Sequence, residues 1–537
     1  MKLTNQGLQD RNAWLSAGYS IPNYDREAMI QETIEAPVWV HFGAGNLFKA
    51  FPAAAAEKLL NEGKMKKGII AVESFDPSIV DINSSHDNLA LLATLKHDGT
   101  VDKTVIGSIA ETIMLDPNSE ALSKIFTAPT LEMASFTITE KGYALTDAAG
   151  KYLPAVAEDF KNGPKNAGSY LGKVAALLYK RYLAGKAPIA MVSMDNCSHN
   201  GEKLQNAILA YANAWSENGL VDEGFTAYLS DPNQVSFPWS MIDKITPRPD
   251  VSVEEMFKKD GLEDVEPVKT ARGSFAAPFV NAEETEYLVM EDSFPNGRLP
   301  LDEASKGIIY TDRNTVNKVE TMKVTTCLNP LHTAMSIFGV LLGYDKISAE
   351  MKDEDIVGLI KTIGYKEGLP VVVNPGILDP KDFIDTVINV RFPNPFMPDA
   401  PQRIATDTSQ KLAIRFGETI KSYCKNPDLS VSSLKLIPLV YAAWLRYLMG
   451  LDDEGNAFEL SADPLLEEVR PILSGVKFGE KTNMEQLLPI LENVKIFGVD
   501  LFETGLADTI LADFNELNSG KGAVRKTLHR MVEEANA

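Results

Sequence analysis

The chain has 537 residues, 45% hydrophobic and 23% charged, an ordinary globular composition in a chain too long for one core. A net charge of −22 argues against nucleic acid or an anionic membrane surface as a partner, but an anionic substrate can still be met by particular Arg or Lys side chains. The three cysteines, Cys197, Cys327 and Cys424, are far apart and form no disulfide framework or zinc-ligand set, so a reducing cytoplasm and no metal are expected.

The N-terminal segment has no apolar stretch of the signal-peptide kind. The first strong element is the apolar run at 38–42, followed by Gly43-Ala-Gly45-Asn46-Leu-Phe48-Lys-Ala and a helix from Pro52. Strand, glycine turn and helix present backbone N–H groups to a pyrophosphate, with Gly43 for the tight turn and Gly45 for close approach. Phe48 stands where a third glycine is usual. The run at 69–73 ends in acids. Glu73 and Asp76 each qualify to accept hydrogen bonds from an adenosine ribose, and no Arg follows closely to favour a 2′-phosphate, so NAD is read over NADP.

Further strands are expected at 90–95, 104–106, 133–139 and 189–193, with helices between several of them, an alternation that predicts a doubly wound parallel sheet. From about residue 312 the periodicity turns helical, beginning with 314–327 and 331–342 and continuing through 402–423 and 430–449 to 522–535. The fold class read is α/β: a Rossmann-like dinucleotide-binding domain over 1–307, then a mostly α-helical domain over 308–537. The stretch 436–445 is apolar but short for a membrane span and reads as a buried helix.

Lys323, Asn329 and His332 lie within ten residues and supply an amine for proton transfer, an amide for an oxyanion and an imidazole. The plainer alternative is a buried helix with three unrelated polar residues, in which Asn329 caps a helix starting at Pro330. His41 and His199 read as structural.

Several motifs in order resemble the mannitol dehydrogenase family of long-chain polyol dehydrogenases and uronate reductases. They are the glycine turn at 43–50, Asp195-Asn196-Cys-Ser-His-Asn200-Gly201, Phe237-Pro-Trp-Ser-Met-Ile-Asp243-Lys-Ile-Thr-Pro247, the 323–332 segment, and Arg403 followed eight residues later by Lys411. The resemblance covers nearly the whole chain. It implies Lys323 as general acid/base, Asn196 and Asn329 as the oxyanion site, and His332, Asp243, Arg403 and Lys411 as substrate contacts. The cofactor site would be Gly43, Gly45, Asn46, Phe48, Glu73 and Asp76. Stretches at 10–14, 70–76 and 327–332 are most similar to the D-mannonate oxidoreductase (fructuronate reductase) branch.

The resemblance implies NAD-dependent, zinc-independent interconversion of a keto sugar acid and its secondary alcohol. Alternatives are tagaturonate or a neutral polyol such as mannitol or arabinitol as substrate, and, from another class, a catalytically silent sugar-binding or regulatory protein. The oligomeric state stays open. The family usually places five steps between its Lys and Asn; here there are six. On an unbroken helix six steps leave Lys323 roughly 120° from Asn329, and nine put it opposite His332. A break, kink or π-bulge is therefore expected between Thr325 and Pro330, with a new helix starting at Pro330.

Overall fold

A computed structural model describes residues 1–270, 272–273 and 275–537. The chain forms two compact units, one of residues 1–96 and 100–317, the other of 97–99 and 318–537. The expected division at 308 falls short of this. The strand Ile308–Thr311 pairs in parallel with Tyr287–Glu291 and so belongs to the first unit.

In the first unit, six parallel strands run in the spatial order Ile109–Met114, Ile69–Glu73, Trp39–Phe42, Met133–Phe136, Ile189–Ser193 and Val235–Ser236. Chain order reverses at Trp39–Phe42, so the loop after that strand opens at the switch point, where such sheets bind nucleotides. The strands are apolar because both faces are covered. Val40, Phe42, Ile70, Val72, Ala134 and Phe136 face one core. Trp39, Ile69, Ala71, Met133 and Val192 face the other.

A four-stranded sheet (Tyr19–Ser20, Val101–Ile106, Ala90–Leu95, Phe279–Glu283) and a three-stranded one (Ser240–Asp243, Tyr287–Glu291, Ile308–Thr311) complete the unit, with a short antiparallel pair of Val268–Lys269 and Phe275–Ala276. The strand Ile109–Met114 is hidden in the sequence because only Gly107 and Ser108 separate it from Val101–Ile106, which belongs to a different sheet.

The second unit is helical. Leu436–Leu448 is buried along its whole length, as its composition implies. Four of its segments are π-helical: Lys323–Cys327, Thr362–Gly368, Val387–Arg391 and Ala413–Gly417. The expected break is present. Leu328 N–H donates to the Lys323 carbonyl at 3.2 Å, a five-residue reach. Leu328 itself leaves helical geometry (φ −128°, ψ −63°), and Asn329–Leu341 begins a new α-helix with Pro330 in its first turn.

Candidate active site

The glycine turn is built as its sequence requires. Gly43 has φ +108°, and a Cβ there would lie 2.3 Å from the Thr137 carbonyl oxygen. A side chain at Gly45 would meet nothing within 4 Å, so the turn is open where a pyrophosphate would lie. Asn46 opens the short helix Asn46–Ala50.

Phe48 explains the missing third glycine. Its ring is fully buried and stacks on His41, with centroids 4.1 Å apart and planes 9° from parallel. The ring is spent on packing the turn, against its expected place among the cofactor contacts. His41 is structural as read, its ring nitrogens 2.6 and 2.8 Å from the Ser135 and Thr137 hydroxyls. Burial pulls its pKa down to about 3.

Both acids after the second strand are buried and engaged. Glu73 Oε1 accepts from the Phe75 and Asp76 N–H groups at 2.8 and 3.2 Å, closing the turn. Asp76 caps the helix Pro77–Ser85 by accepting from Ser78 N–H at 3.0 Å. The Thr270 hydroxyl foremost, with the Ser78 and Arg272 N–H groups, holds its carboxyl below the usual range. The exposed Phe75 carries the Arg272 guanidinium 4.4 Å over its ring. The reading that no Arg follows closely holds along the chain, but Arg272 comes to this turn from afar. Beneath the turn, buried Lys49 donates to Asn83 at 2.8 Å, and burial lowers its pKa to about 8.

The Asp195–Gly201 motif is largely a clamp. Asp195 accepts from Ile138 and Thr139 N–H at 2.9 and 2.8 Å and from the Tyr143 hydroxyl at 2.5 Å, holding the loop where Thr139 has φ +63°. Asn200 donates to the Asp195 carbonyl and Ser240 hydroxyl at 3.0 and 2.9 Å and accepts from Ser240 N–H at 3.0 Å. Gly201 is needed because a Cβ would sit 2.5 Å from the Pro238 carbonyl, which explains why the two motifs occur together. Asn196 stays exposed amid these buried residues. Asp243 ends the strand Ser240–Asp243, buried, opposite Tyr287. His199 stacks on Trp239 at 4.1 Å and reaches the Asn317 amide oxygen at 3.0 Å.

In the second unit, Lys323 is buried at the start of its π-helical segment. That segment packs against the π-helical Ala413–Gly417 and Thr362–Gly368, and Asn329–Leu341 packs on the helix Pro401–Ile404 that carries Arg403. The wide turn absorbs one residue. Nine steps from Lys323 to His332 then count as eight, about 80° apart instead of opposite.

His332 Nε2 is buried with no hydrogen-bond partner, and its ring lies 5.0 Å from that of Phe392. Burial first, then Arg415, Arg403, Arg391 and Lys411, push its pKa down to about 3, so the imidazole is neutral at physiological pH. Arg403 pairs with Asp399. Lys411 donates to the Ile404 and Thr406 carbonyls, and burial, with Arg415 beside it, lowers its pKa. Arg391 is buried at the end of its own π-helical segment. Arg415, which sequence reasoning missed, donates to the Thr333 hydroxyl. Among the described residues no cluster of three or more His, Cys, Asp or Glu side chains could hold a metal ion.

Two family models match the chain, the Mannitol dehydrogenase Rossmann domain over residues 38–302 and the Mannitol dehydrogenase C-terminal domain over 315–518. The D-mannonate oxidoreductase of Thermotoga maritima is 49% identical over 99% of both chains. A mannitol 2-dehydrogenase of Pyrenophora tritici-repentis is 29% identical over 86% of this chain and 77% of its own. Among solved structures, a substrate-free D-sorbitol dehydrogenase matches with TM-score 0.80 at 25% identity, covering 95% of this chain and 98% of that one. The Pseudomonas fluorescens mannitol 2-dehydrogenase, in ternary complex with NAD and D-mannitol, matches with TM-score 0.69 at 25% identity, covering 99% and 100%. The chain belongs to the mannitol dehydrogenase family.

Proposed function

We propose that the chain is an NAD-dependent, zinc-independent oxidoreductase that interconverts D-mannonate and D-fructuronate in the cytoplasm. The observation that carries the sugar-acid reading is the set of four cations, Arg391, Arg403, Lys411 and Arg415, acting on one neutral histidine in a protein of net charge −22. Arg403 has its own partner in Asp399, but the positive charge left around this histidine is one that a substrate carboxylate can balance and a neutral polyol cannot. The relative at 49% identity carries the matching name.

The open turn after Trp39–Phe42 fits a dinucleotide. Gly43 permits the turn, Gly45 leaves space for phosphate oxygens, and Asn46 opens the helix behind them. Glu73 and Asp76 hold the loop at the ribose end of that site. When bound, the nicotinamide takes or gives the hydride. Lys323 takes the hydroxyl proton as the alcohol is oxidised and returns it in reduction. Asn329 and Asn196 donate amide N–H bonds to the oxygen as it becomes alkoxide-like. His332, locked neutral, is suited to hydrogen-bond a substrate hydroxyl through its unpartnered Nε2. Asp243 completes the polar contacts with the sugar.

NADH oxidation measured with fructuronate, tagaturonate, fructose and xylulose tests this reading. Fructuronate should give the highest kcat/KM. A preference for fructose or xylulose would move the chain to the neutral-polyol members of the family, and no turnover of any of the four would favour a silent binding protein.

A further inference from the structure

Three of the four cations acting on His332, Arg403, Lys411 and Arg415, differ in how their charge is met within the chain. Arg403 is neutralised by Asp399 and lies on an exposed side chain. Lys411 spends its donors on the Ile404 and Thr406 carbonyls just before its helix. Arg415 is different. Its one hydrogen bond goes to the neutral hydroxyl of Thr333, and among the described residues no carboxylate pairs with it. It is partly buried all the same, and burial alone lowers its pKa to about 10. A guanidinium withdrawn from water without a counter-charge is costly, and such a group beside a functional histidine calls for an anion from outside the chain.

The local backbone explains how it is delivered. Arg415 sits in the middle of the π-helical Ala413–Gly417, which packs on both the Lys323–Cys327 segment and the helix Asn329–Leu341. Gly417 lets that segment press against its neighbour, since a Cβ there would fall 2.3 Å from the Phe497 carbonyl. Thr333, the residue after His332, then fixes one arm of the guanidinium. Among the four cations Arg415 also has the largest effect on His332. The remaining N–H groups form a planar fork suited to a carboxylate.

We infer that Arg415 anchors the carboxylate of the substrate, and so sets the preference of this site for sugar acids over neutral polyols. The inference rests on the sugar-acid reading above and adds to it the residue that enforces it. With Arg415 on the carboxylate, His332 Nε2 is left for a hydroxyl further along the sugar chain.

The test compares the unmutated protein with Arg415→Met, Arg415→Lys and the control Lys421→Met, a half-buried cation further along the chain that is paired with Glu418. Steady-state oxidation of D-mannonate by NAD is measured for each, with melting temperatures to confirm folding. Loss of one charge-assisted anchor should cut kcat/KM roughly 10- to 100-fold in Arg415→Met, mainly through KM. Arg415→Lys should recover part of that loss, because it keeps the charge without the fork, and Lys421→Met should match the unmutated protein. An Arg415→Met protein within about twofold of the unmutated kcat/KM, or a loss confined to kcat that lysine does not relieve, overturns the inference while leaving the mannonate reading intact. If Arg415→Met does not fold, Arg415→Lys decides alone, an unchanged KM counting against the inference. If the unmutated protein does not turn over mannonate, the functional reading fails first and this inference with it.

Discussion

The two units prepare for chemistry in opposite ways. In the first, the candidate cofactor site is made of backbone. Gly43 and Gly45 keep a turn open, while the side chains around it, Phe48, His41, Glu73 and Asp76, are spent on holding the turn together. In the second, the candidate site is made of side chains on distorted helices. Lys323, Arg391 and Arg415 all lie in π-helical segments, and His332 and Arg415 keep unsatisfied polar capacity. Groups common to every dinucleotide are met by a rigid frame. Groups particular to one substrate are met by polar side chains held in costly places, where π-bulges often gather.

If that contrast is right, removing side chains from the second unit should damage turnover far more than cofactor binding. The largest expected effect is Lys323→Ala, which should lower kcat by about 10²- to 10⁴-fold, the usual range for a lost general acid/base. NADH affinity, read by fluorescence titration, should be unchanged. Lys318→Ala is the control, and a dead Lys318→Ala beside an active Lys323→Ala would show that the extra residue had been placed wrongly. Next is Asn329→Ala. Losing one oxyanion donor should cost about 10²- to 10³-fold in kcat, roughly 3 kcal/mol of barrier. A change in KM alone would remove Asn329 from the oxyanion site and leave it a substrate contact at most.

Smaller effects should sharpen the account of the first unit. NADH should be preferred over NADPH, and Asp76→Ala or Glu73→Ala, by loosening the loop at the ribose end, should narrow the kcat/KM ratio by up to about tenfold. Equal kcat/KM for both cofactors in the unmutated protein would contradict this. Arg272, stacked on Phe75, is the cation through which any NADPH activity should run, so Arg272→Ala should lower the NADPH rate selectively.

The smallest effect concerns Glu350, which packs against Gly339 on the helix Asn329–Leu341. Its carboxyl is buried without a hydrogen-bond partner and fills the space that a Cβ at Gly339 would take, 1.9 Å from Oε1. Burial, with Asp353 nearby, raises its pKa to about 9. A carboxyl raised in the folded state binds a proton that the unfolded chain has already lost. Its contribution to stability is therefore full below about 4.5 and fades as pH rises toward about 9. Glu350→Gln should raise the melting temperature at pH 9 by roughly a few degrees and leave it little changed at pH 5. An identical loss of stability at alkaline pH in both proteins would exclude Glu350 as its source.

What could be read in advance follows from how far each interaction reaches along the chain. The strands Trp39–Phe42, Ile69–Glu73 and Ile189–Ser193 announce themselves as apolar runs buried on both faces. The break before Asn329 was legible too, because Pro330 and the count of steps from Lys323 are local facts. Phe48 was misjudged because its position in the turn is local while its stacking on His41 is not. Ile109–Met114 was missed because one continuous β-like stretch is shared between two sheets. Arg415 was invisible for the same kind of reason. Its hydroxyl partner is 82 residues away, and nothing in its neighbourhood distinguishes it from a surface arginine.

The most direct measurement is calorimetric titration of D-mannonate and of D-mannitol into the protein saturated with NADH, a complex in which neither alcohol can react. The account predicts that the acid binds at least about tenfold more tightly than the polyol, the least a charge-assisted pair with Arg415 should contribute. Equal affinities, or tighter binding of mannitol, would contradict the claim that the cations around His332 are there to hold a sugar acid.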